Sequence, residues 1–207
     1  MLEPWAARHG IDADRESLLD AFAAIESATQ LGRPTAPYPD VLRAVHEGLA
    51  RRWRVRAEPD EAERLAGSVG DWPAFPDTAA ALARLAERHR LVVISNVDRA
   101  SFARTSQRLG VTMDAVITAE DAGAYKPDLA PFHMALARIA MWGVAPARVL
   151  HVAQSLYHDH VPARSLGLAT VWVDRRRGRG GGATPPAPSS VRPDLVVASL
   201  AELATTA

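Results

Sequence analysis

The run Leu91-Val92-Val93-Ile94-Ser95-Asn96-Val97-Asp98-Arg99 has the form of a buried parallel strand that hands polar groups to its carboxyl end. Apolar, mostly β-branched residues lead straight into Ser95 and Asn96, and a helical pattern begins near Asp98,. In open α/β sheets, ligands bind beyond the carboxyl ends of the strands. Ser95 and Asn96 therefore stand where a crevice is expected.

Downstream the same plan repeats. A helix from about Asp98 to Leu109 leads to a short strand at Ala115–Thr118, and a helix over Pro131–Ile139 leads to a strand at Val149–Val152. A helix near Asp159–Leu166 leads to a strand at Ala169–Val173, and Leu195–Val197 reads as an edge strand before a last helix at Leu200–Leu203. This alternation with short links predicts a parallel, doubly wound sheet. Between the last two strands, the run from Arg175 to Asp194 is rich in Gly, Pro and Arg. It is expected to be a flexible surface loop with solvated arginines.

Upstream the pattern is helical throughout. Asp14 or Asp12 is placed to cap a helix with Leu18, Leu19, Phe22, Ile25 and Leu31 on one stripe, ended by Gly32-Arg33-Pro34,. A second helix starts at Pro39-Asp40 with Val41, Leu42, Val45, Leu49 and Trp53 inward, and a short third starts at Glu58-Pro59-Asp60. Pro73 and Pro76 forbid a continuous helix through Asp71–Asp77, which makes that segment a hinge candidate, and Asp77 is set to cap the helix after it,. The expected division is a helical module at 1–70 and an α/β core at 71–207.

Composition narrows the function classes. The 207 residues contain no cysteine, which excludes disulfides, thiolate zinc sites and a thiol nucleophile,. Lys plus Arg equals Asp plus Glu at 24 each, so net charge favours neither nucleic acid nor an anionic membrane as partner,. No apolar run spans a bilayer and the N-terminus lacks a signal-peptide layout, so the expected location is the cytoplasm,. The expected partner is a small-molecule substrate, with a homodimer left open.

The strand ends bring Ser95, Asn96, Lys126, Gln154, Ser155, His158, Asp159, Asp174 and Arg175 toward one crevice. A hydroxyl, a fixed cation and a carboxylate there suit an anionic substrate or intermediate. Each also has a plainer role: Ser95 as a helix cap, Lys126 as a solvated loop lysine, Asp159 as a first-turn carboxylate. His151, His158 and His160 match no metal-ligand spacing, and His151, inside an apolar strand, reads as a core histidine,. No cofactor or metal is expected.

Three stretches carry a family likeness. Ile94-Ser95-Asn96-Val97-Asp98, Ala124-Tyr125-Lys126-Pro127-Asp128 and the region from Val149 to Arg175 resemble the second, third and fourth motifs of the haloacid dehalogenase (HAD) superfamily of hydrolases. Within it the type II 2-haloacid dehalogenase-like group is the nearest in appearance. The helical 1–70 segment is similar to the cap that this family inserts after its first strand. The resemblance implies an α/β, Rossmann-like parallel core under an α-helical cap, with Ser95, Lys126 and Asp159 as catalytic residues and Asn96, Ser155 and His158 as substrate contacts.

It also implies a nucleophilic aspartate on a central first strand, which would attack the substrate and form an ester that water hydrolyses. No stretch of this sequence matches that motif; Glu3, Asp12 and Asp14 follow no strand. The expectation is two half-sheets facing each other across a one-strand gap; an internal methionine at Met1 of a longer chain is favoured over a gap filled by another element or chain and over a rearranged core. Superfamily phosphatases hold Mg²⁺ partly through an acid at the place of Gln154, and a neutral amide is a poor Mg²⁺ ligand,. The resemblance therefore points to the metal-independent dehalogenase branch, although Ala153, Ser155 and Phe132 depart from that branch's pattern. A Mg²⁺-dependent phosphatase and a non-catalytic binding protein remain the alternatives.

Overall fold

The computed structural model describes residues 1–179, 184–186 and 188–206. Positions 180–183 and 187, within the expected flexible loop, lie outside the described residues.

The helical module begins with an element that the sequence pattern does not announce, α1 (Leu2–Arg8). It is too short to show a period. It is held instead by Glu61, a buried carboxylate on α4 (Pro59–Ala66), which accepts from Arg8 at 2.9 Å and lies 2.8 Å from His9. Helix α2 (Arg15–Gly32) starts where Asp14 accepts a hydrogen bond from the Ser17 amide, and α3 (Tyr38–Trp53) has Val41, Leu42 and Val45 fully buried. Burying such a side chain contributes roughly 1.5–3 kcal/mol. Leu31 departs from the expected stripe: in the last turn of α2 it is 68% exposed. Trp5, Leu18, Phe22, Leu49, Leu65 and Val69 complete one apolar cluster.

The α/β part opens with α5 (Thr78–Ala86). Asp77 does not cap it with its side chain. The carboxylate turns to the other end of the chain, where it pairs with Arg175 at 2.8 Å and accepts from the Leu200 amide at 2.9 Å. The expectation that the arginines of the Arg175–Asp194 run stay solvated is corrected for Arg175 and Arg176, while Arg177, Arg179 and Arg192 are exposed as expected. Arg175 is nearly buried on Asp77, and Arg176 reaches Glu16 of α2 at 2.6 Å.

Strand β1 (Val92–Ser95) is followed by α6 (Arg99–Leu109), β2 (Ala115–Thr118), the single turn α7 (Ala119–Ala122) and α8 (Ala130–Ala140). Then come β3 (Leu150–Ala153), a π-helical turn at Leu156–His160, α9 (Val161–Ser165), β4 (Ala169–Val173), β5 (Leu195–Val197) and α10 (Leu200–Thr206). Every strand pair is parallel, as expected for a doubly wound core. The strands form two sheets, β1-β2 and β3-β4-β5. Among the described residues β1 and β3 each have one strand neighbour and keep one unpaired edge, in line with the expected break at the centre of the core. Phe132 of α8 lies beside His151 of β3, with ring centroids 5.2 Å apart, in a cluster against which Ile94 of β1 also packs. Among the described residues no helix is long and apolar enough to cross a membrane.

Glu26 of α2 is 8% exposed and accepts the Tyr38 hydroxyl at 2.5 Å. Burial pushes its carboxyl up to about 7 from 4.5, and the Tyr38 bond offsets only part of that. Because the folded value lies above the unfolded one, this stabilisation is full below pH 4.5 and is lost as pH rises through about 7,. The loss is on the order of 3 kcal/mol. Glu26→Gln is predicted to raise the thermal midpoint at pH 8 and to change it little at pH 4.5; equal midpoints for both proteins at pH 8 would contradict this.

Candidate active site

Lys126 is the centre of the site. It is only 9% exposed although it sits in a loop. Its Nζ donates to the Ile94 carbonyl on β1 at 2.9 Å and to Asp159 Oδ1 at 2.7 Å. Asp159 belongs to the π-helical turn after β3, so one ammonium joins the two half-sheets. The solvated-lysine role is excluded by this geometry.

The loop that delivers Lys126 is held on both sides. Asn96 clamps its backbone: the Lys126 amide donates to Asn96 Oδ1 at 2.7 Å, and Asn96 Nδ2 donates to the Lys126 carbonyl at 3.1 Å. Tyr125 donates its hydroxyl to the Ala36 carbonyl of the helical module at 2.7 Å, and the Lys126-Pro127 bond is cis. At the end of β2, Thr118 and Asp121 form a reciprocal cap on α7, which fixes the start of the same loop.

Asp159 is buried, and burial alone would raise its carboxyl. Burial is the largest single influence, but the Lys126 charge and hydrogen bond together with His151, whose Nε2 lies 3.3 Å from the same Oδ1, outweigh it and hold the group well below the ordinary carboxylate range. His151 is thus no idle core histidine. Its place in an apolar strand hid this role, which depends on a carboxylate eight residues later in the chain.

The remaining expected residues take distinct positions. Ser95 ends β1 opposite Thr118 and is not a helix cap; Asp98 caps α6, accepting from the Ser101 amide at 2.8 Å. Ser155 is buried and caps the π-helical turn, accepting from the His158 amide at 3.0 Å, with its Oγ 3.3 Å from His158 Nδ1. Burial lowers His158 to about 4, so its ring is neutral near pH 7, and its buried Nε2 has no partner among the described residues. Lys126, Asn96 and Asp159 are therefore brought together directly; Ser155 and His158 join them through the turn that carries Asp159. Asp174 and Arg175 are drawn away, Asp174 to the Gly178 amide and Arg175 to Asp77.

Among the described residues no group of three or more His, Asp or Glu side chains is arranged to hold a metal ion. Asp159 offers a carboxylate already engaged by a cation, and Gln154 offers a neutral amide. What the arrangement offers is a fixed ammonium and a positioned carboxylate beside two open strand edges, near the end of β1 that carries Ser95,.

Residues 6–159 match the haloacid dehalogenase-like hydrolase family. The chain belongs to this family. A haloacid dehalogenase-like hydrolase domain-containing protein 3 from Xenopus laevis is 39% identical over 80 residues, covering 38% of this chain and 32% of the relative. The match thus spans between a quarter and a third of the length of the curated relatives. The L-2-haloacid dehalogenase of Xanthobacter autotrophicus with chloropropionic acid covalently bound superposes with a TM-score of 0.74 at 21% identity, over 96% of this chain and 89% of that one. A HAD phosphatase from Thermococcus onnurineus gives a TM-score of 0.56 at 22% identity, over 99% and 85%. At these identities the likeness is one of fold.

Removing one member of a buried ion pair strands the other, at a cost of roughly 3–5 kcal/mol. Lys126→Met is therefore predicted to lower the urea-unfolding free energy by about 3 kcal/mol. The double variant Lys126→Met/Asp159→Asn should lose less than the sum of its single variants. Strict additivity would mean that the two groups do not act as a pair.

Proposed function

We propose that this hydrolase cleaves a carbon–halogen or similar bond of a small organic anion without a metal, in the manner of a 2-haloacid dehalogenase. The observation that carries the proposal is the buried Lys126 ammonium, fixed between the β1 edge and Asp159. A cation in that position stabilises a second carboxylate beside Asp159 and the charge that develops on a leaving group.

The nucleophile would be an aspartate on a strand paired between β1 and β3. Its carboxylate oxygen attacks the substrate carbon, the halide leaves with the bonding pair, and an ester forms. Water then adds to the ester carbonyl, releasing the hydroxy acid and restoring the carboxylate. Asp159, positioned by Lys126 and His151, would orient that water. Ser95 and Asn96 would meet the substrate carboxylate, and Ser155 and His158 would shape the wall behind it. The helical module at 1–70 would act as the cap, tethered through Tyr125 and Ala36, and would exclude bulk water,. The fold likeness to an enzyme solved with chloropropionic acid covalently bound supports this chemistry.

The second candidate is a Mg²⁺-dependent phosphatase, which a fold neighbour of that activity keeps in view. Gln154 counts against it. The enzyme purified from its native source is predicted to release halide from 2-chloropropionate in the presence of EDTA, and Lys126→Met is predicted to reduce that rate at least about a hundredfold. Mg²⁺-activated hydrolysis of p-nitrophenyl phosphate, with no halide release, would instead establish the phosphatase. A cooperatively folded protein inert to both substrates would be a binding protein.

A further inference from the structure

The helical module and the Lys126 loop meet through a line of buried acids and phenols. Glu26 of α2 accepts the Tyr38 hydroxyl at 2.5 Å. The Tyr38 ring lies against that of Tyr125, with centroids 6.4 Å apart and planes inclined at 48°. Tyr125 donates to the Ala36 carbonyl at 2.7 Å and is the residue before Lys126. Asp98 stands at the head of α6, and its charge acts on both rings. All four side chains are buried.

This line contains acids and no cation. Among the described residues neither Glu26 nor Asp98 forms an ion pair, and Asp98 Oδ2 is buried without a hydrogen-bond partner. Asp40 of α3, whose charge also reaches Tyr125, is paired with Arg43 at the surface. No group of α1 acts on Glu26, and Tyr38 is its single donor. Burial first, and the charges of Glu26 and Asp98 after it, raise both phenols, so the two tyrosines stay protonated. Burial also pushes the Glu26 carboxyl up to about 7, so its charge changes near neutral pH.

The two states of Glu26 make different demands. Neutral, it is served by the Tyr38 hydroxyl. Ionised, its two oxygens offer about four acceptor sites to that one donor. A buried carboxylate so poorly bonded is costly until water reaches it. We propose that Glu26 is a proton-operated latch between the helical module and the Lys126 loop. With the proton on, Tyr38 stays against Tyr125 and the loop is clamped. With the proton off, Tyr38 parts from Tyr125 as water enters, and the clamp on the loop slackens. The clamped state therefore holds below about pH 7 and the slack state above it,. Glu26 and Tyr38 act as positioning residues, and the latch is independent of which bond the site cleaves.

Nuclear Overhauser contacts between the Tyr38 and Tyr125 rings test it. The chain has three tyrosines, so ring labelling resolves both. The contact is predicted to be present at pH 6 and lost by pH 8.5. Exchange of the Lys126 amide, corrected for its intrinsic pH dependence, should rise at least about tenfold over the same range. Glu26→Gln, which cannot ionise, should keep both the ring contact and the slow exchange at pH 8.5. Tyr38→Phe removes the hydrogen bond that holds the carboxyl down, so the transition should move to a pH about one unit higher,. A ring contact equally strong at both pH values in the native protein would overturn the proposal. So would its loss at pH 8.5 in Glu26→Gln, or a transition unmoved by Tyr38→Phe.

Discussion

An ammonium and a carboxylate, each nearly removed from water and 2.7 Å apart, hold this molecule's centre together. Isolated, either charge would be costly in that position. Paired, and with the Ile94 carbonyl and His151 taking up further hydrogen bonds, they link the β1-β2 sheet to the turn after β3. The surrounding contacts serve that pair. Asn96 fixes the Lys126 backbone from the strand side, and Tyr125 fixes the same loop from the helical module. Ser155 caps the turn that aims Asp159.

The two unpaired strand edges are the counterpart of this bridge. A parallel strand at the centre of an α/β core is ordinarily covered on both sides by hydrogen-bonded neighbours. Here the apolar residues of β1 are only half-buried, and Leu150 of β3 is exposed. Phe132, fully buried on α8, lies beside His151 in a cluster against which Ile94 also packs. The open edges offer a further strand backbone partners, and the nucleophile proposed above would stand on such a strand.

Much of this was legible in the sequence because it is local. The apolar run into Ser95-Asn96 marks a strand end, and Ala115–Thr118 forms over its expected span. Asp14 caps the helix that its position announces, and α6 begins near Asp98 as expected, although Asp98 and not Ser95 caps it. The mismatch with the family's first motif foretold a divided sheet. What escaped depends on partners distant in the chain. Helix α1 exists through Glu61, more than fifty residues on. Asp77 leaves its own helix for Arg175 and the Leu200 amide, a contact between opposite ends of the α/β part. His151 looks apolar by its neighbours and is polar in its bond to Asp159. Hydrophobic period and capping chemistry carry no information about such pairings.

The most direct test of the account is the titration of the Asp159 carboxyl, followed by its ¹³C resonance in the native protein and in Lys126→Met. The ion-paired bridge predicts no midpoint near the ordinary 3.8 in the native protein, the carboxylate persisting well below it, and an upward shift when Lys126 is removed,. A native midpoint at or above 3.8, unmoved by Lys126→Met, would contradict the central place given to the pair.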